Sequence, residues 1–351
     1  MTALPIGSCI GILGDGQLGR MLGVAAAKLG FDVVTLGPQD DSPASRIAAH
    51  SIIAEYNDKD ALAELHVRSD VVTLEFENVP VTAIQILDDM GAIVRPGAKS
   101  LEICQDRHFE KQFARDHDVS TADYWTIDSA ADLAAALKDV SGKAILKTRR
   151  DGYDGHGQIR LQPGDDVRNA LDNIGNAPAI LEQMVPFIGE MSVVLARSVT
   201  GEISAFDPAE NVHKHGILHT SRAPARFSEE TQKHAIAAAL RLIEALGHVG
   251  VMAVEFFVLE TGDILLNEMA PRVHNSGHWT PEACLTSQFE QHIRAVAGWP
   301  LGRVDRHSDV EMENLLGDDV HKAVAPEDSL TLYGKRDVRP GRKMGHIVRR
   351  L

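Results

Sequence analysis

Two glutamates in the last third of the chain could hold a metal ion. Thr261-Gly262 separates two segments rich in β-forming residues, which predicts a two-residue hairpin turn. Glu255 and Glu268 lie at equal distances from that turn and should face each other, with Asn267 on the opposite face. Opposed carboxylates repel, so either one binds a proton or a cation such as Mg²⁺ lies between them. The alternative is a slipped register that leaves both glutamates solvated.

The segment after this hairpin is unusually polar. Pro271 and Gly277 favour a loop, which disfavours paired histidine ligation of a metal, since that spacing requires a helix. The sequence therefore predicts an anion or substrate pocket here. Its polar side chains are Arg272, His274, Asn275, Ser276 and His278.

A glycine-rich segment follows a short β-forming run that ends near Lys147. Gly152, Gly155 and Gly157 would let backbone N–H groups approach phosphates, and the lysine adds a positive charge. An ordinary surface hairpin with an incidental lysine explains the same residues equally well.

A second glycine motif stands near the N-terminus. Gly14, Gly16 and Gly19 lie between a strand pattern and a helix pattern, which resembles a dinucleotide fingerprint. The next strand lacks the expected acidic residue, because it runs into Gly37, and Asp15 adds negative charge inside the loop. The alternatives are a glycine turn that holds one phosphate or another polar ligand, and a turn without a ligand.

Alternating strand and helix patterns must position these residues. The first hundred residues predict a parallel, doubly wound sheet, with strands at 8–14, 31–36, 51–56, 71–76 and 92–94 and helices at 17–29 and 81–90. From 101 to 300 the pattern is α+β. It begins with a helix at 101–117 and includes helices at 130–137, 229–246 and 288–298.

Composition excludes several classes of protein. The 351 residues carry a formal net charge of −15, which argues against general nucleic-acid binding. No apolar stretch is long enough to cross a membrane, and the N-terminus lacks the basic start of a signal peptide. Three widely spaced cysteines fit the cytoplasm. The segment from Lys335 onward is the exception, with seven basic residues and one acid. It is either a solvated chain end or a binding site for a phosphate group.

Several motifs together resemble the N5-carboxyaminoimidazole ribonucleotide synthetase family of ATP-grasp enzymes. They span nearly the whole chain in the expected order, and GYDGHGQ and HNSGHWT are specific to this family. The motifs are GDGQLGRM (14–21), EFENV (75–79), KTRRDGYDGHGQ (147–158), ENVH (210–213), SRAPA (221–225), NEMAPRVHNSGHWT (267–280) and SQFEQH (287–292).

The resemblance implies an ATP-grasp fold of mixed α/β and α+β class. It implies a Rossmann-like subdomain at 1–105, an ATP-grasp domain at 106–300 and a small β-rich C-terminal subdomain at 301–351. It also implies that ATP phosphorylates bicarbonate to carboxyphosphate, which carboxylates 5-aminoimidazole ribonucleotide in purine biosynthesis. Mg²⁺, a cytoplasmic homodimer, and no nucleic-acid or membrane partner follow from the same resemblance.

The resemblance also implies a role for individual residues. The expected nucleotide contacts are Arg107, Lys147, the flap Gly152, Tyr153, Asp154, Gly155, His156, Gly157 and Gln158, the hinge Glu182, Gln183, Met184 and Val185, and Glu190, His213, Asn267 and Glu268. Glu255 and Glu268 should ligate Mg²⁺. The expected ribonucleotide contacts are Gln17, Leu18, Glu75, Asn78, Tyr153, Asp154, Lys343 and Arg350, and the reaction should occur beside Arg272, His274, Asn275 and Ser276, with Tyr153 and Asp154 also catalytic.

Two residues depart from the family pattern. Asp15 replaces a glycine of the first loop, and His156 replaces a lysine of the flap. A formate-using transformylase of the same superfamily remains an alternative, which HNSGHWT and EFENV disfavour. A nicotinamide-dependent oxidoreductase is the alternative from another class, and the missing acid near Gly37 disfavours it.

Overall fold

A computed structural model describes residues 3–152, 157–322 and 324–351. Tyr153, Asp154, Gly155 and His156 of the expected flap lie outside the described residues.

The N-terminal part forms a parallel four-stranded sheet in the order β3-β2-β1-β4, which confirms the doubly wound pattern. The predicted strand at 92–94 is wrong, since only Val94 bridges to Val72. Strand pairing does not continue beyond this bridge, because Pro96 has no N–H to donate. The elements are β1 (Cys9–Leu13), α1 (Gln17–Lys28), β2 (Asp32–Gly37), β3 (His50–Ile53), α2 (Lys59–Arg68), β4 (Val71–Leu74), α3 (Val81–Asp89) and α4 (Ala98–Cys104).

The single helix predicted over 101–117 is two helices. The break falls at Asp106, whose backbone is extended and whose carboxylate accepts a hydrogen bond from the His108 N–H at 3.0 Å. Aspartate is a preferred N-cap, so it ends the connection after α4 and starts α5 (Arg107–Asp116) in a new direction. This break places Arg107 at the start of a helix.

A second, antiparallel sheet has the order β5-β8-β6-β7. Two helices, α6 and α7, pack with it around an apolar cluster that includes Leu133, Leu146 and Leu181. The elements are β5 (Tyr124–Ile127), α6 (Ala130–Asp139), β6 (Ala144–Thr148), β7 (Gln158–Leu161), α7 (Val167–Asn173) and β8 (Ala179–Gln183).

The largest sheet runs from the middle of the chain to the C-terminus. Its order is β14-β13-β9-β11-β12-β15-β17-β16, with β10 paired to β9. The β-rich C-terminal segment extends this sheet, because β15 pairs with β12. The elements are β9 (Phe187–Arg197), β10 (Ile203–Ala205), β11 (Ala209–Lys214), β12 (Ile217–Ala223), α8 (Glu229–Leu246), β13 (Gly250–Leu259), β14 (Ile264–Ala270), a 3₁₀ turn (Asn275–Gly277), α9 (Thr280–Ala283), α10 (Gln288–Val296), β15 (Val310–Leu316), a 3₁₀ turn (Gly317–His321), β16 (Ser329–Leu332) and β17 (Lys343–Arg350).

One apolar core joins the N-terminal sheet to the large sheet. It includes Ile10 and Leu22 of the first sheet layer and Val251 and Ile293 of the large sheet and its covering helix α10. A polar contact crosses the same boundary, since Thr73 Oγ1 lies 2.7 Å from His292 Nε2. The three sheets therefore border one common cleft in a fixed arrangement.

Candidate active site

A cavity of about 1810 Å³ lies where the three sheets meet. It collects residues from every part of the chain. The expected site residues that line it are Gln17, Leu18, Glu75, Asn78, Arg107, Lys147, Gly152, Gln158, Glu182, Gln183, Met184, Val185, Glu190, His213, Glu255, Asn267, Glu268, Arg272, His274, Asn275 and Lys343.

Of the expected site residues that the structure describes, three do not line the cavity. Gly157 accepts a hydrogen bond from the Thr148 N–H at 2.9 Å, and Ser276 is buried behind His274. Arg350 is exposed at the far end of β17. Because a strand advances about 3.3 Å per residue, Arg350 lies more than about 20 Å along the strand from Lys343. The structure therefore corrects the expectation for Arg350.

Arg342 and Lys335 line the cavity beside Lys343, although the motifs assigned neither residue. Both precede the last strand, in the basic segment that the charge distribution had singled out. The positive charge of this segment could have indicated them.

The carboxylate hairpin has the predicted pairing, with Glu255 opposite Glu268. Its details differ from the prediction. The Leu259 N–H bonds to the Asp263 carbonyl, so the turn holds three residues, and a bulge next to Glu255 restores the pairing. Since a bulge opposes two residues to one, Asn267 also lines the cavity, which corrects its expected position on the other face.

The two carboxylates of the hairpin have different environments. Burial and the neighbouring Glu268 raise the pKa of Glu255 to about 8. The Glu255 Oε1 atom is buried without a hydrogen-bond partner among the described residues. Arg107 Nη1 lies 3.7 Å from Glu268, whose side chain is 40% exposed. An unpartnered buried oxygen opposite a second carboxylate is a donor set that fits a hard divalent cation.

Among the described residues, no group of three or more His, Cys, Asp or Glu side chains is arranged to hold a metal ion. Glu255 and Glu268 could therefore supply only part of a coordination shell. This is the usual situation for Mg²⁺, which keeps waters and takes further oxygens from substrate phosphates.

A buried ion cluster stands on the side of the cavity formed by the small sheet. Lys147 Nζ lies 2.8 Å from Glu182, and Lys111 Nζ lies 3.3 Å from the other oxygen of that carboxylate. Burial alone would raise the pKa of Glu182, but Lys111, Lys147 and Arg107 together lower it to about 2. Glu182 is thus a permanent carboxylate, and its side chain faces the lysines.

Sequence reasoning missed Lys111 and its neighbour Glu110. Lys111 is fully buried on α5, one turn after Arg107. Burial raises the pKa of Glu110 to about 8, and its carboxyl accepts a short hydrogen bond from the Met269 N–H. Arg107, Glu110 and Lys111 have the i, i+3, i+4 spacing of one helix face, and Glu110 and Lys111 lie with Ala114 on the buried face of α5. That spacing of charged residues is the signal that could have indicated them.

The first glycine motif is closed by a side chain of the protein itself. Glu75 accepts hydrogen bonds from the N–H groups of Gly16 at 2.7 Å and Gly19 at 3.0 Å. Gly14 has a φ of +121°, and a Cβ there would lie 2.2 Å from Glu75. The positive N-terminal end of α1 therefore already holds an anion, which explains why these glycines do not form a pyrophosphate site.

Asp15, the departure from the family pattern, braces a neighbouring loop. Its carboxylate accepts a hydrogen bond from the Gln39 N–H at 3.0 Å. Burial raises the pKa of Asp15, and the Gln39 N–H opposes that shift. Gln39 and Pro38 line the cavity, so Asp15 shapes the wall beside Gln17.

The polar loop after the hairpin brings Arg272 and His274 to the cavity. Arg272 Nη2 donates to Glu77 at 2.7 Å, a partner that lies inside the EFENV run. His274 Nδ1 lies 2.9 Å from Ser276 Oγ. Burial and the charge of Arg272 hold the pKa of His274 well below its usual range. His274 is therefore a neutral imidazole beside a fixed guanidinium.

His213 and Glu190 meet on neighbouring strands of the large sheet. His213 Nδ1 lies 2.7 Å from Glu190 Oε2. Burial alone would lower the pKa of His213, but the Glu190 hydrogen bond and the nearby Glu255 raise it to about 9. Phe187 and Phe257 stack at 4.7 Å on the same wall and give this end of the cavity an apolar surface.

The fold and the site together define an ATP-grasp enzyme. The family model of the ATP-grasp domain matches residues 112–289. The ribonucleotide synthetase preATP-grasp domain matches residues 8–105, and the phosphoribosylaminoimidazole carboxylase C-terminal domain matches residues 311–349.

The similar proteins identify the family within this class. The chain is 53% identical to the N5-carboxyaminoimidazole ribonucleotide synthase of Brucella melitensis, over 99% of this chain and 98% of the relative. It is also similar to an ADP complex of an N5-carboxyaminoimidazole ribonucleotide synthetase, with a TM-score of 0.95 and 41% identity over 100% of this chain and 94% of that one. The chain belongs to the N5-carboxyaminoimidazole ribonucleotide synthase family.

A third similar protein bears on the substrates. It is the N5-carboxyaminoimidazole synthase from Aspergillus clavatus in complex with ADP and 5-aminoimidazole ribonucleotide, with a TM-score of 0.92 and 30% identity over 98% of this chain and 94% of that one. The resemblance drawn from the motifs is confirmed at the level of the family. No helix among the described residues has the length and apolar character needed to cross a membrane.

Proposed function

We propose that this protein is an ATP-dependent carbon–nitrogen ligase that carboxylates 5-aminoimidazole ribonucleotide with bicarbonate in purine biosynthesis. The products are N5-carboxyaminoimidazole ribonucleotide, ADP and phosphate. The observation that carries the proposal is that three regions line one cavity. They are the ion cluster and carboxylate hairpin, the loop with Arg272 and His274, and the basic segment near the C-terminus. Family membership supports the same reaction.

The ATP end is formed by the small sheet and the outer strands of the large sheet. Lys147 and Arg107 line this end and would contact phosphate oxygens, and the apolar wall at Phe187 suits a base. Met184 and Val185 follow β8 and would offer backbone groups to the adenine edge, with Glu190 toward the ribose and His213 nearby. We assign Gly152 and Gln158 to the ends of the flap, and we keep Tyr153 to Gly157 in it as expected from the family.

The residues at the hairpin would hold Mg²⁺ between Glu255 and Glu268, with Asn267 beside them. A bound Mg²⁺ supplies charge neutralisation on the phosphate groups. The chain itself contributes Arg107 next to Glu268, which keeps a positive charge on the same side. The orphaned Glu255 oxygen is what supports this assignment.

The ribonucleotide end lies between the N-terminal sheet and the last strand. Gln17, Leu18 and Asn78 line it, and Lys343 with Arg342 would receive the ribotide phosphate. Glu75 reaches this end too, although its carboxylate oxygens already accept two backbone hydrogen bonds. Tyr153 and Asp154, expected here from the family, stay in the proposal as further contacts.

The reaction itself would occur beside Arg272, His274, Asn275 and Ser276. A bicarbonate oxygen attacks the γ-phosphorus of ATP, and ADP leaves with the bond electrons. The ribonucleotide amine then attacks the carboxyl carbon of carboxyphosphate, and phosphate leaves. Arg272, held by Glu77, offers a fixed cation for the developing negative charge, and neutral His274 can accept or donate a proton. Carboxyphosphate hydrolyses readily, so this reaction requires a site from which water is excluded.

The test is ADP release from Mg-ATP with defined acceptors. We expect release that requires bicarbonate and 5-aminoimidazole ribonucleotide together. Replacing bicarbonate with formate, and the ribonucleotide with glycinamide ribonucleotide, tests the transformylase alternative. If the formate pair supports faster ADP release than the bicarbonate pair, the proposed reaction is wrong.

We also propose three parts with boundaries at 1–105, 106–300 and 301–351, a homodimer, and a cytoplasmic location. The free state of Cys9, Cys104 and Cys284 is consistent with a reducing compartment. Light scattering after size exclusion tests the dimer, and a mass equal to one chain would contradict it.

A further inference from the structure

We call the polar loop that follows the carboxylate hairpin, residues 272–278, the reactive loop. The side-chain amide of Gln288 is fully buried and makes three hydrogen bonds to this loop. It begins α10, the helix that packs behind the large sheet. Its Oε1 accepts from the His274 N–H at 2.9 Å, and its Nε2 donates to the His274 carbonyl at 2.7 Å. The same Nε2 lies 2.9 Å from His278 Nδ1. Gln288 is the second residue of the SQFEQH run, and the family resemblance implies no role for it.

The backbone of His274 determines which way this amide points. A flipped amide would set its NH₂ group against the His274 N–H and its oxygen against the His274 carbonyl, so both bonds would be lost. The NH₂ group therefore faces His278, and because it can only donate, His278 Nδ1 must accept.

This bond defines the tautomer of His278. Burial and the neighbouring His346 hold the pKa of His278 well below its usual range, so its imidazole is neutral. A neutral imidazole whose Nδ1 accepts carries its proton on Nε2. His278 borders the cavity but is itself buried, so its Nε2–H is a hydrogen-bond donor within the wall of the site.

Two neighbours hold the amide in place. Gly277 has no side chain, and a Cβ there would lie 2.7 Å from Gln288 Oε1. Thr280 Oγ1 accepts from the Gln288 N–H at 3.0 Å and donates to the Gly277 carbonyl at 2.7 Å. The loop from His274 to Thr280 is thus closed onto the first turn of α10 through one side chain.

We propose that Gln288 is a positioning residue of the carboxylation reaction, which fixes the backbone of His274 and the Nε2-protonated tautomer of His278 at once. The proposal rests on the assignment of the reactive loop to the bicarbonate end of the cavity. Gln288 itself does not line the cavity.

The chain offers a matched control on the same helix. Gln291 is also fully buried, and its amide donates to the Gly302 carbonyl at 2.9 Å and accepts from the Gly302 N–H at 2.8 Å. This is the same pair of bonds to one backbone residue, made away from the cavity.

The first experiment compares Gln288→Met with Gln291→Met in steady-state ADP release. Both variants should lose thermal stability, since each loses two bonds to one backbone residue, and Gln288→Met should lose somewhat more because its bond to His278 is lost as well. Gln288→Met should lower kcat by about 100-fold, the effect of a misplaced reactive group, and leave KM for ATP unchanged. Gln291→Met should keep its kcat. Equal kcat in the two variants would overturn the proposal.

The second experiment observes the tautomer without turnover. In protein labelled with ¹⁵N-histidine, the His278 signal, identified by its loss in His278→Phe, should show a protonated Nε2 and an unprotonated Nδ1. In Gln288→Glu an ionised carboxylate has no proton to donate to Nδ1, so at a pH high enough to ionise that carboxyl group the proton should move to Nδ1. A wild-type His278 protonated at Nδ1 would contradict the proposal even if the carboxylation assay succeeds, and an inactive wild type would count against the proposed reaction alone.

Discussion

The first glycine loop and the carboxylate hairpin both place a buried glutamate on the same cavity, but the two carboxylates are used differently. Each carboxylate oxygen of Glu75 accepts one backbone hydrogen bond, and these bonds satisfy two N–H groups at the N-terminus of α1. Glu255 has an oxygen without a hydrogen-bond partner among the described residues and a second carboxylate opposite. The first arrangement is complete within the protein, and the second leaves a carboxylate oxygen available for the metal ion proposed above.

Glu182 is intermediate between these two. Its charge is compensated inside the protein by Lys111 and Lys147, yet Lys147 also lines the cavity. A motif therefore indicates a ligand site only where its polar groups are not already satisfied. Four experiments test this distinction.

The largest effect is expected from Lys147→Met, which removes the cation shared by Glu182 and the cavity. Turnover should fall by roughly 10²–10³-fold, the range for loss of one electrostatic contact to a transition state. The protein should still fold, because Lys111 continues to compensate Glu182, so stability should fall by less than the about 3–5 kcal/mol of a fully broken buried pair.

Lys111→Met is the matched control for that experiment. Lys111 pairs with the same carboxylate but does not line the cavity. A similar loss of stability with a much smaller loss of turnover, measured by thermal unfolding and ADP release, is expected. Near-normal turnover in Lys147→Met would show that its charge serves the fold alone.

Glu255→Gln should have the next largest effect. Turnover should fall by about 10²-fold and require more Mg²⁺, because a carboxylate ligand is lost. In Mg²⁺-free buffer the variant should be at least as stable as the wild type. Burial and Glu268 raise the pKa of Glu255, so the folded wild type must bind a proton there, whereas glutamine needs none. A Mg²⁺ titration of ADP release and thermal unfolding with a chelator measure both. An unchanged Mg²⁺ requirement would remove Glu255 from the metal site.

Glu75→Gln should act mainly on stability. One of the two N–H bonds at Gly16 and Gly19 would face an NH₂ group, and an unsatisfied buried donor costs about 1–3 kcal/mol. Asp58→Asn is the control, because Asp58 caps α2 from an exposed position where asparagine also caps well. Urea unfolding measures both variants. A Glu75→Gln protein as stable as the wild type would mean that the first loop is not closed by this carboxylate.

The smallest effect at neutral pH is expected at His292, which forms the buried contact with Thr73 between the N-terminal sheet and the large sheet. Burial lowers the pKa of His292 to about 3 in the folded state, below its usual value of 6.5. The folded protein therefore favours the neutral form, and this contribution to stability is fully present above pH 6.5. It declines as the pH falls from 6.5 toward 3, because the unfolded state binds the proton first.

His292→Gln tests this contribution. The Val251 N–H donates to His292 Nδ1 at 3.0 Å, so the variant should be less stable than the wild type at pH 7. Its stability should fall less steeply between pH 6.5 and 4, measured by urea unfolding at each pH. Parallel pH profiles for the two proteins would show that His292 does not contribute to acid unfolding.

Prediction from sequence succeeded best where the pattern was local. The strands β1, β2 and β4 and helices α1 and α3 lie close to their predicted bounds, because hydrophobic periodicity reports which face is buried. The pairing of Glu255 with Glu268 was also predicted, although a longer turn and a bulge at Asn267 compensated each other to produce it. The order of the nine-stranded sheet was not predicted, since its neighbours are distant in the chain.

The sequence by itself determined the family, the types of residue available for catalysis and the positive charge near the C-terminus. Tertiary structure alone decided which of those residues are free to meet a ligand. Glu75 and Gly16 are 59 residues apart, and Gln288 is 14 residues from His274, so no local pattern shows that they bond. Lys343, which lines the cavity, and Arg350, which does not, stand at opposite ends of β17. Hydrogen bonding and burial depend on where chain segments meet, and only the folded chain brings them together.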